Sequence, residues 1–403
     1  MNPIDMFRRF FIYCWTILLF YSCQRDKLAP SPELASPPPT TISNPLPSRL
    51  LKKAIASFED SLQHAMQLQG FPGAAFAVVE GGKIVHSQGY GLRQIGCKEP
   101  VDRNTVFRIA SLSKAFPAVL TGMLVQDSTL RWDDAVKDYL PDLTLSRASA
   151  ADSLSIRHLL SHTTGLPRHT YSNLLNMGVP YADILSQLKD VRVAHTPGTW
   201  YNYQNVVYSL IGDVVQKAVG KSYDQLLEER VFKPLDMQHA STGFYALQAG
   251  DNVAAPHKYD GEKYFPSKAS TNFYSVLPAA GVNASVQDMA KWMLLMLGHR
   301  EKLLDSLTLW EIQKEQIAVS PRERVMRSWR PVDASGYGLG WRTAIKNGTR
   351  IVFHGGFVNG YRAEILLLPE EDIGLVVLTN SFNPFIGHCL PYFLELIQRD
   401  VVR

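Results

Sequence analysis

Strand-like runs stand near both ends of this chain, and a long stretch between them has the punctuation of helices and loops. Residues 74–79 and 84–90 are short apolar runs around Glu80-Gly81-Gly82-Lys83, the pattern of a β-hairpin with a glycine turn. Four further strands are expected at 338–345, 350–354, 362–368 and 373–378, the first two joined at Asn347-Gly348, a two-residue hairpin turn. From 113 to 327 the pattern is mostly helical, broken by loops. Before the first hairpin, Leu51, Ile55, Phe58, Leu62 and Met66 recur at helical spacing over 50–69, and Gly70 stops the run. A closing helix is expected over 385–401. Such a layout implies an α+β fold: one antiparallel sheet built from both chain ends, flanked by terminal helices, with a mainly helical insertion against it. The seam between sheet and insertion is the natural place for a cleft.

The folded part begins near Ser48, so residues 48–403 are read as one domain. Ahead of it, Arg8 and Arg9 precede an apolar run from Phe10 to Tyr21, shorter than the roughly 20 residues a spanning helix needs. Residues 1–22 therefore read as a signal peptide for export to the bacterial cell envelope. Ser22-Cys23 with a polar sequel resembles a lipoprotein signal, in which Cys23 is lipidated and tethers the protein to the membrane. Residues 23–47 are rich in Pro, Ser and Thr, with Pro37-Pro38-Pro39, and read as an extended tether.

Nearly half the chain (46%) is hydrophobic and 19% is charged, which fits a packed body rather than a disordered one. A net charge of +4, dispersed along the sequence, does not suggest nucleic acid as a partner. Outside the signal region only Cys97 and Cys389 remain, read as two buried free thiols ahead of the alternative, one disulfide in an oxidising compartment. No zinc-type spacing occurs, so no metal is expected.

Ser111 and Lys114 stand three apart, which on a helix puts them on one face with the amine near the hydroxyl. A serine hydroxyl needs a neighbouring base, and a lysine amine serves only if burial or a nearby cation lowers its pKa. The spacing alone is weak: Ser186 and Lys189 share it, on what reads as an ordinary amphipathic helix.

The wider context is more specific. Phe107-Arg108-Ile109-Ala110-Ser111-Leu112-Ser113-Lys114 resembles the nucleophile segment of the serine β-lactamase and penicillin-binding-protein superfamily, in its class C β-lactamase, DD-peptidase and esterase branch. Residues 156–167, with Ser161-His162-Thr163-Thr164-Gly165, resemble a family landmark. Pro197-Gly198-Thr199-Trp200-Tyr201-Asn202-Tyr203-Gln204-Asn205 resembles its second motif, and His354-Gly355-Gly356 its third. The resemblance runs from about Leu50 to the C-terminus and implies a β-lactamase/transpeptidase-like fold.

It also implies roles. Ser111 attacks a carbonyl; Lys114 and Tyr203 move its proton, with Tyr203 held partly as phenolate. Asn205 holds Lys114 and the substrate amide, and His354 supplies a donor beside Tyr203. Gly356 leaves room for substrate, and the backbone N–H groups of Ser111 and Phe357 form the oxyanion hole. No cofactor is implied.

Tyr171-Ser172-Asn173 and Lys346-Asn347-Gly348 also spell motif fragments, but lack the surrounding pattern. His162 reads as a satisfied loop histidine. The sequence departs from the family in Pro117, expected to kink the nucleophile helix, and in His354, where class C β-lactamases carry lysine.

The implied activity is hydrolysis of an ester, a D-amino-acid amide or peptide, or a β-lactam through an acyl-serine. A penicillin-recognising sensor that acylates without turnover, and a scaffold with a dead site, are the alternatives. Specificity is expected from loops at 168–194 and 244–278. Substrate and oligomeric state are not legible.

Overall fold

A computed structural model describes residues 48–399 of the 403. The expected signal peptide, tether and Cys23, and the last residues of the expected closing helix, lie outside the described residues.

Helix α1 (Ser48–Gln69) leads into strands β1 (Gly73–Glu80) and β2 (Lys83–Gly91), joined at Gly81 and Gly82, both at positive φ. The C-terminal part contributes β9 (Ala334–Tyr337), β10 (Arg342–Lys346), β11 (Thr349–Val358), β12 (Tyr361–Leu368) and β13 (Ile373–Thr379). Short strands lie between: β3 (Val106–Arg108), β4 (Ser241–Thr242), β5 (His257–Tyr259), β6 (Tyr264–Pro266), β7 (Val282–Ser285) and β8 (Ile317–Ala318). An eight-stranded antiparallel sheet forms in the order β2-β1-β13-β12-β11-β10-β9-β8. Pairing of β1 with β13 ties the two chain ends together, as the strand pattern implied.

Both faces of this sheet are covered, so its central strands read as continuous apolar runs rather than alternating ones. In β1, Ala74, Phe76 and Val78 join the core under the terminal helices, while Ala75, Ala77 and Val79 join the core under the insertion. Phe58 of α1 is fully buried, with its ring centroid 5.1 Å from Phe76 and 5.5 Å from Phe393 of the closing helix. Burial of a side chain of this size contributes about 1.5–3 kcal/mol.

Several expectations change. The strand expected at 338–345 forms only from Arg342 on: β9, which was not expected, ends at Tyr337, and the chain passes through Gly340 at φ 76° before it re-enters the sheet at Arg342. A Cβ on Gly340 would lie 2.5 Å from the Lys114 carbonyl, so the break runs under the nucleophile helix. Strand β11 continues through Gly355 and Gly356 to Val358. The closing helix spans Cys389–Arg399 after a 3₁₀ turn at Phe385–Gly387. Both cysteines are free, but Cys97 is exposed and only Cys389 is buried. The short strands β3 to β8 escaped notice because runs this brief carry no usable period.

Candidate active site

The nucleophile segment leaves β3, whose Arg108 is buried and donates to the carbonyls of Ser270 and Asn272, fixing the loop that carries Phe273. Ala110 then takes φ 49°, a left-handed conformation unfavourable for a residue with a Cβ, immediately before Ser111. Residues Ala110–Lys114 form a 3₁₀ turn and the α-helix begins at Ala115 (α2, Ala115–Gln126). In a 3₁₀ turn residues i and i+3 eclipse, so Ser111 and Lys114 stack more directly than on an α-helix. Pro117 thus falls in the first turn of α2, where a missing N–H is tolerated, instead of kinking the helix midway.

Ser111 is half-buried and Lys114 is fully buried. The Lys114 amine donates to Asn205 Oδ1 at 2.8 Å and to the Ala279 carbonyl at 3.0 Å, and stands 4.7 Å from the centre of the Tyr203 ring. Burial, then the charge of Arg342, pushes its pKa well below the usual lysine range. Tyr203 borders the same cleft as Ser111; burial raises its phenol despite the opposing pull of Arg342 and of the Ser111 side chain. The expectation of a partly ionised phenolate is therefore corrected: desolvation outweighs the nearby cations.

The third segment behaves differently. Two-residue turns at Asn347-Gly348 and Asn359-Gly360 flank β11, making Lys346↔Thr349 and Val358↔Tyr361 closing pairs of their ladders. The alternation of an antiparallel ladder then turns the N–H and C=O of residues 349, 351, 353, 355 and 357 toward β10. Pairing with β10 ends at Arg342↔Phe353, so at Gly355 and Phe357 these groups face an open strand edge. Gly356 lies against the nucleophile turn: a Cβ there would sit 2.4 Å from the Ile109 carbonyl and 3.0 Å from the Ser111 nitrogen. The structure thus brings the Phe357 backbone beside that of Ser111.

His354 is not at the cleft. It is 1% exposed, its Nδ1 lies 2.9 Å from the Gly355 carbonyl and its Nε2 3.3 Å from the Tyr337 hydroxyl. A carbonyl only accepts, so Nδ1 carries the proton and Nε2 accepts from Tyr337. Burial, with Arg342 and Lys114 nearby, holds the ring well below its usual pKa, and hence neutral at pH 7. The expected donor beside Tyr203 is corrected on this ground: both ring nitrogens are engaged elsewhere.

The cation beside Tyr203 is Arg342. It is 8% exposed, lies 5.1 Å from the Tyr203 ring centre and donates to the Tyr201 hydroxyl at 3.1 Å. Among the described residues it pairs with no carboxylate, and its Nε has no hydrogen-bond partner. Counting back from Asn347-Gly348 places Arg342 opposite Phe353, a signal the sequence offered and motif reading passed over.

A cleft of about 240 Å³ opens here, bordered by Ser111, Tyr203, Asn205, Gly355 and Phe357. Arg168, His169, Arg342, Arg362 and Phe273 also border it, but Arg168 is paired with Glu323 and Arg362 with Glu364, and burial lowers the His169 pKa, which leaves Arg342 as the cation there without a carboxylate partner among the described residues. Arg168, His169 and Phe273 come from the two loops singled out for specificity. No group of three or more His, Cys, Asp or Glu among the described residues could hold a metal.

The remaining motif fragments lie elsewhere. Tyr171 donates to the Gln187 carbonyl, exposed Ser186 donates to Asp183, and Lys346 caps the carbonyls of Trp329 and Pro331. His162 accepts the Gln204 N–H at Nδ1 and packs its ring 4.4 Å from Tyr203. Its Nε2 has no partner among the described residues, so it is a brace for the tyrosine only half satisfied in hydrogen bonds.

The family profile named Beta-lactamase matches residues 58–392. Protein flp of Staphylococcus aureus (strain MW2) is 26% identical over 356 residues, covering 88% of this chain and 68% of that protein. The unguisins hydrolase ungD of Aspergillus violaceofuscus is 26% identical over 364 residues, covering 84% and 63%. An octameric penicillin-binding protein homologue from Pyrococcus abyssi shares the fold, with a TM-score of 0.75 at 23% identity over 86% of this chain and 77% of that one.

Proposed function

The chain belongs to the Beta-lactamase family, and from that premise we propose that it is a hydrolase working through an acyl-serine on Ser111. One observation carries this reading: the buried Lys114 amine is fixed on Asn205, one 3₁₀ turn from a half-buried Ser111 that borders the same cleft as Tyr203. Neutral Lys114, acting with Tyr203, takes the Ser111 proton as Oγ bonds to the substrate carbonyl carbon. The same pair returns that proton to the leaving group. The developing oxyanion sits between the N–H groups of Ser111 and Phe357. Water then enters by the same proton route and releases the acid, restoring Ser111.

The substrate is an ester, a D-amino-acid amide or peptide, or a β-lactam. Arg342, which borders the cleft, favours acyl donors that carry a carboxylate. The relative named as an unguisins hydrolase supports hydrolysis over scaffolding. A fluorophosphonate or fluorescent penicillin should label wild type and Ser186→Ala, and fail on Ser111→Ala. Labelling that persists in Ser111→Ala overturns the assignment, and stable labelling without turnover of any ester, D-peptide or β-lactam would make the protein a sensor.

We also propose that Cys23 is lipidated and anchors the protein to the cell envelope, on the Ser22-Cys23 signal pattern. Wild type should then enter the detergent phase and Cys23→Ser the aqueous phase. Equal partitioning rules the anchor out.

A further inference from the structure

Large apolar side chains exposed singly are ordinary on a protein surface, whereas two exposed rings in contact beside a cleft are not. Phe357 and Phe382 are 57% and 54% exposed, and their rings meet edge to face with centroids 5.8 Å apart. Among the described residues no other pair of exposed aromatic rings touches. Phe382 is not on a fraying loop. Its neighbours Asn380, Ser381 and Asn383 are fully buried, the Thr379 hydroxyl donates to the Ser381 carbonyl, and the Tyr264 hydroxyl donates to the Phe382 carbonyl at 2.8 Å. A fixed backbone thus holds this ring in solvent against Phe357.

Phe357 is also the residue whose N–H and C=O face the open edge of β11. An extended acyl group on that edge gives its carbonyl oxygen to the Phe357 N–H, and its own amide N–H to the Phe357 carbonyl, as one rung of an antiparallel pair. Substituents of directly opposed residues in such a rung stand side by side. The group carried next to the reacting carbonyl is thereby brought to the Phe357 side chain.

We propose that Phe357 and Phe382 form a shelf for an aromatic or bulky apolar substituent on the acyl part of the substrate. Such a shelf selects an acyl donor that is apolar near its carbonyl. The inference rests on the acyl-serine reading above.

The test compares kcat/KM for 4-nitrophenyl phenylacetate and 4-nitrophenyl acetate, which share a leaving group, so their ratio reads the acyl side alone. Wild type should prefer phenylacetate. Phe382→Ala should lower the ratio about tenfold, mainly through KM, the scale of one lost aromatic contact. Phe382→Leu should recover part of it. Leu307→Ala, which removes an exposed side chain on a separate helix, should leave the ratio unchanged. An unchanged ratio in Phe382→Ala, or an equal fall in Leu307→Ala, overturns the shelf.

Binding needs no turnover and separates the two failures. Phenylacetate titrated by NMR into Ser111→Ala should bind more weakly once Phe382→Ala is added. Equal affinity, or no binding to Ser111→Ala at all, sinks the shelf. Loss of turnover and of Ser111 labelling alongside Phe382-dependent binding would instead sink the hydrolase reading.

Discussion

The Ser111–Lys114 turn and the His354–Val358 end of β11 touch through Gly356, yet they reach the cleft in opposite ways. The turn contributes side chains. The strand contributes its backbone at Phe357, while its one titratable side chain, His354, is buried behind the cleft wall. Winding is the cause. A three-residue turn stacks i on i+3, so residues spaced that way must meet. A strand alternates, so His354 goes with Val352 and Val358, which belong to the core under the insertion, while Phe357 faces the other way, with Phe353. A charged partner for Tyr203 therefore comes from the neighbouring strand, as Arg342.

The strongest way to break this contrast is at the side-chain half. Tyr203→Phe should cost at least about 10²-fold in acylation rate, the scale for losing a positioned acid–base group. Tyr171→Phe should cost little, because its hydroxyl only donates to the Gln187 carbonyl. Stopped-flow acylation of the two variants decides this, and the reverse ranking would show that the wrong tyrosine faces Ser111.

A smaller effect tests the strand half. Lys114 must be neutral to accept a proton, so activity is present above its folded-state pKa and is lost as pH falls through it. Arg342 is one of the two causes lowering that pKa. Arg342→Gln should therefore raise it and move the acid limb of kcat/KM to higher pH. His354 is not among the causes that lower the Lys114 pKa, so His354→Gln should leave the limb in place while lowering the melting temperature through its lost buried hydrogen bonds. Superimposable limbs for wild type and Arg342→Gln would remove the electrostatic role of Arg342. A shift in His354→Gln alone would return that role to the histidine.

Parts of the architecture were legible from periodicity. Helix α1 is the amphipathic run from Leu51 to Met66, and the hairpin turn is the Asn347-Gly348 pair. Gly340 was read as strand because its positive φ answers to the Lys114 carbonyl beneath it, a contact between segments far apart in the chain. Gly355 and Gly356, which look like breakers, stay in β11 because Glu364 and the nucleophile turn crowd the space their side chains would occupy.

The sequence by itself determined that strands stand near both chain ends, and that Ser111 and Lys114 would share one face of a helical segment. Both follow from local periods that hold wherever the segment is placed. Only the tertiary structure decided that Lys114 loses solvent, that burial raises the Tyr203 phenol and that Arg342, not the neutral His354, is the charged group beside it. Desolvation and charge are set by what other segments bring within a few ångströms, and neither the spacing of a motif nor the identity of its residues records that.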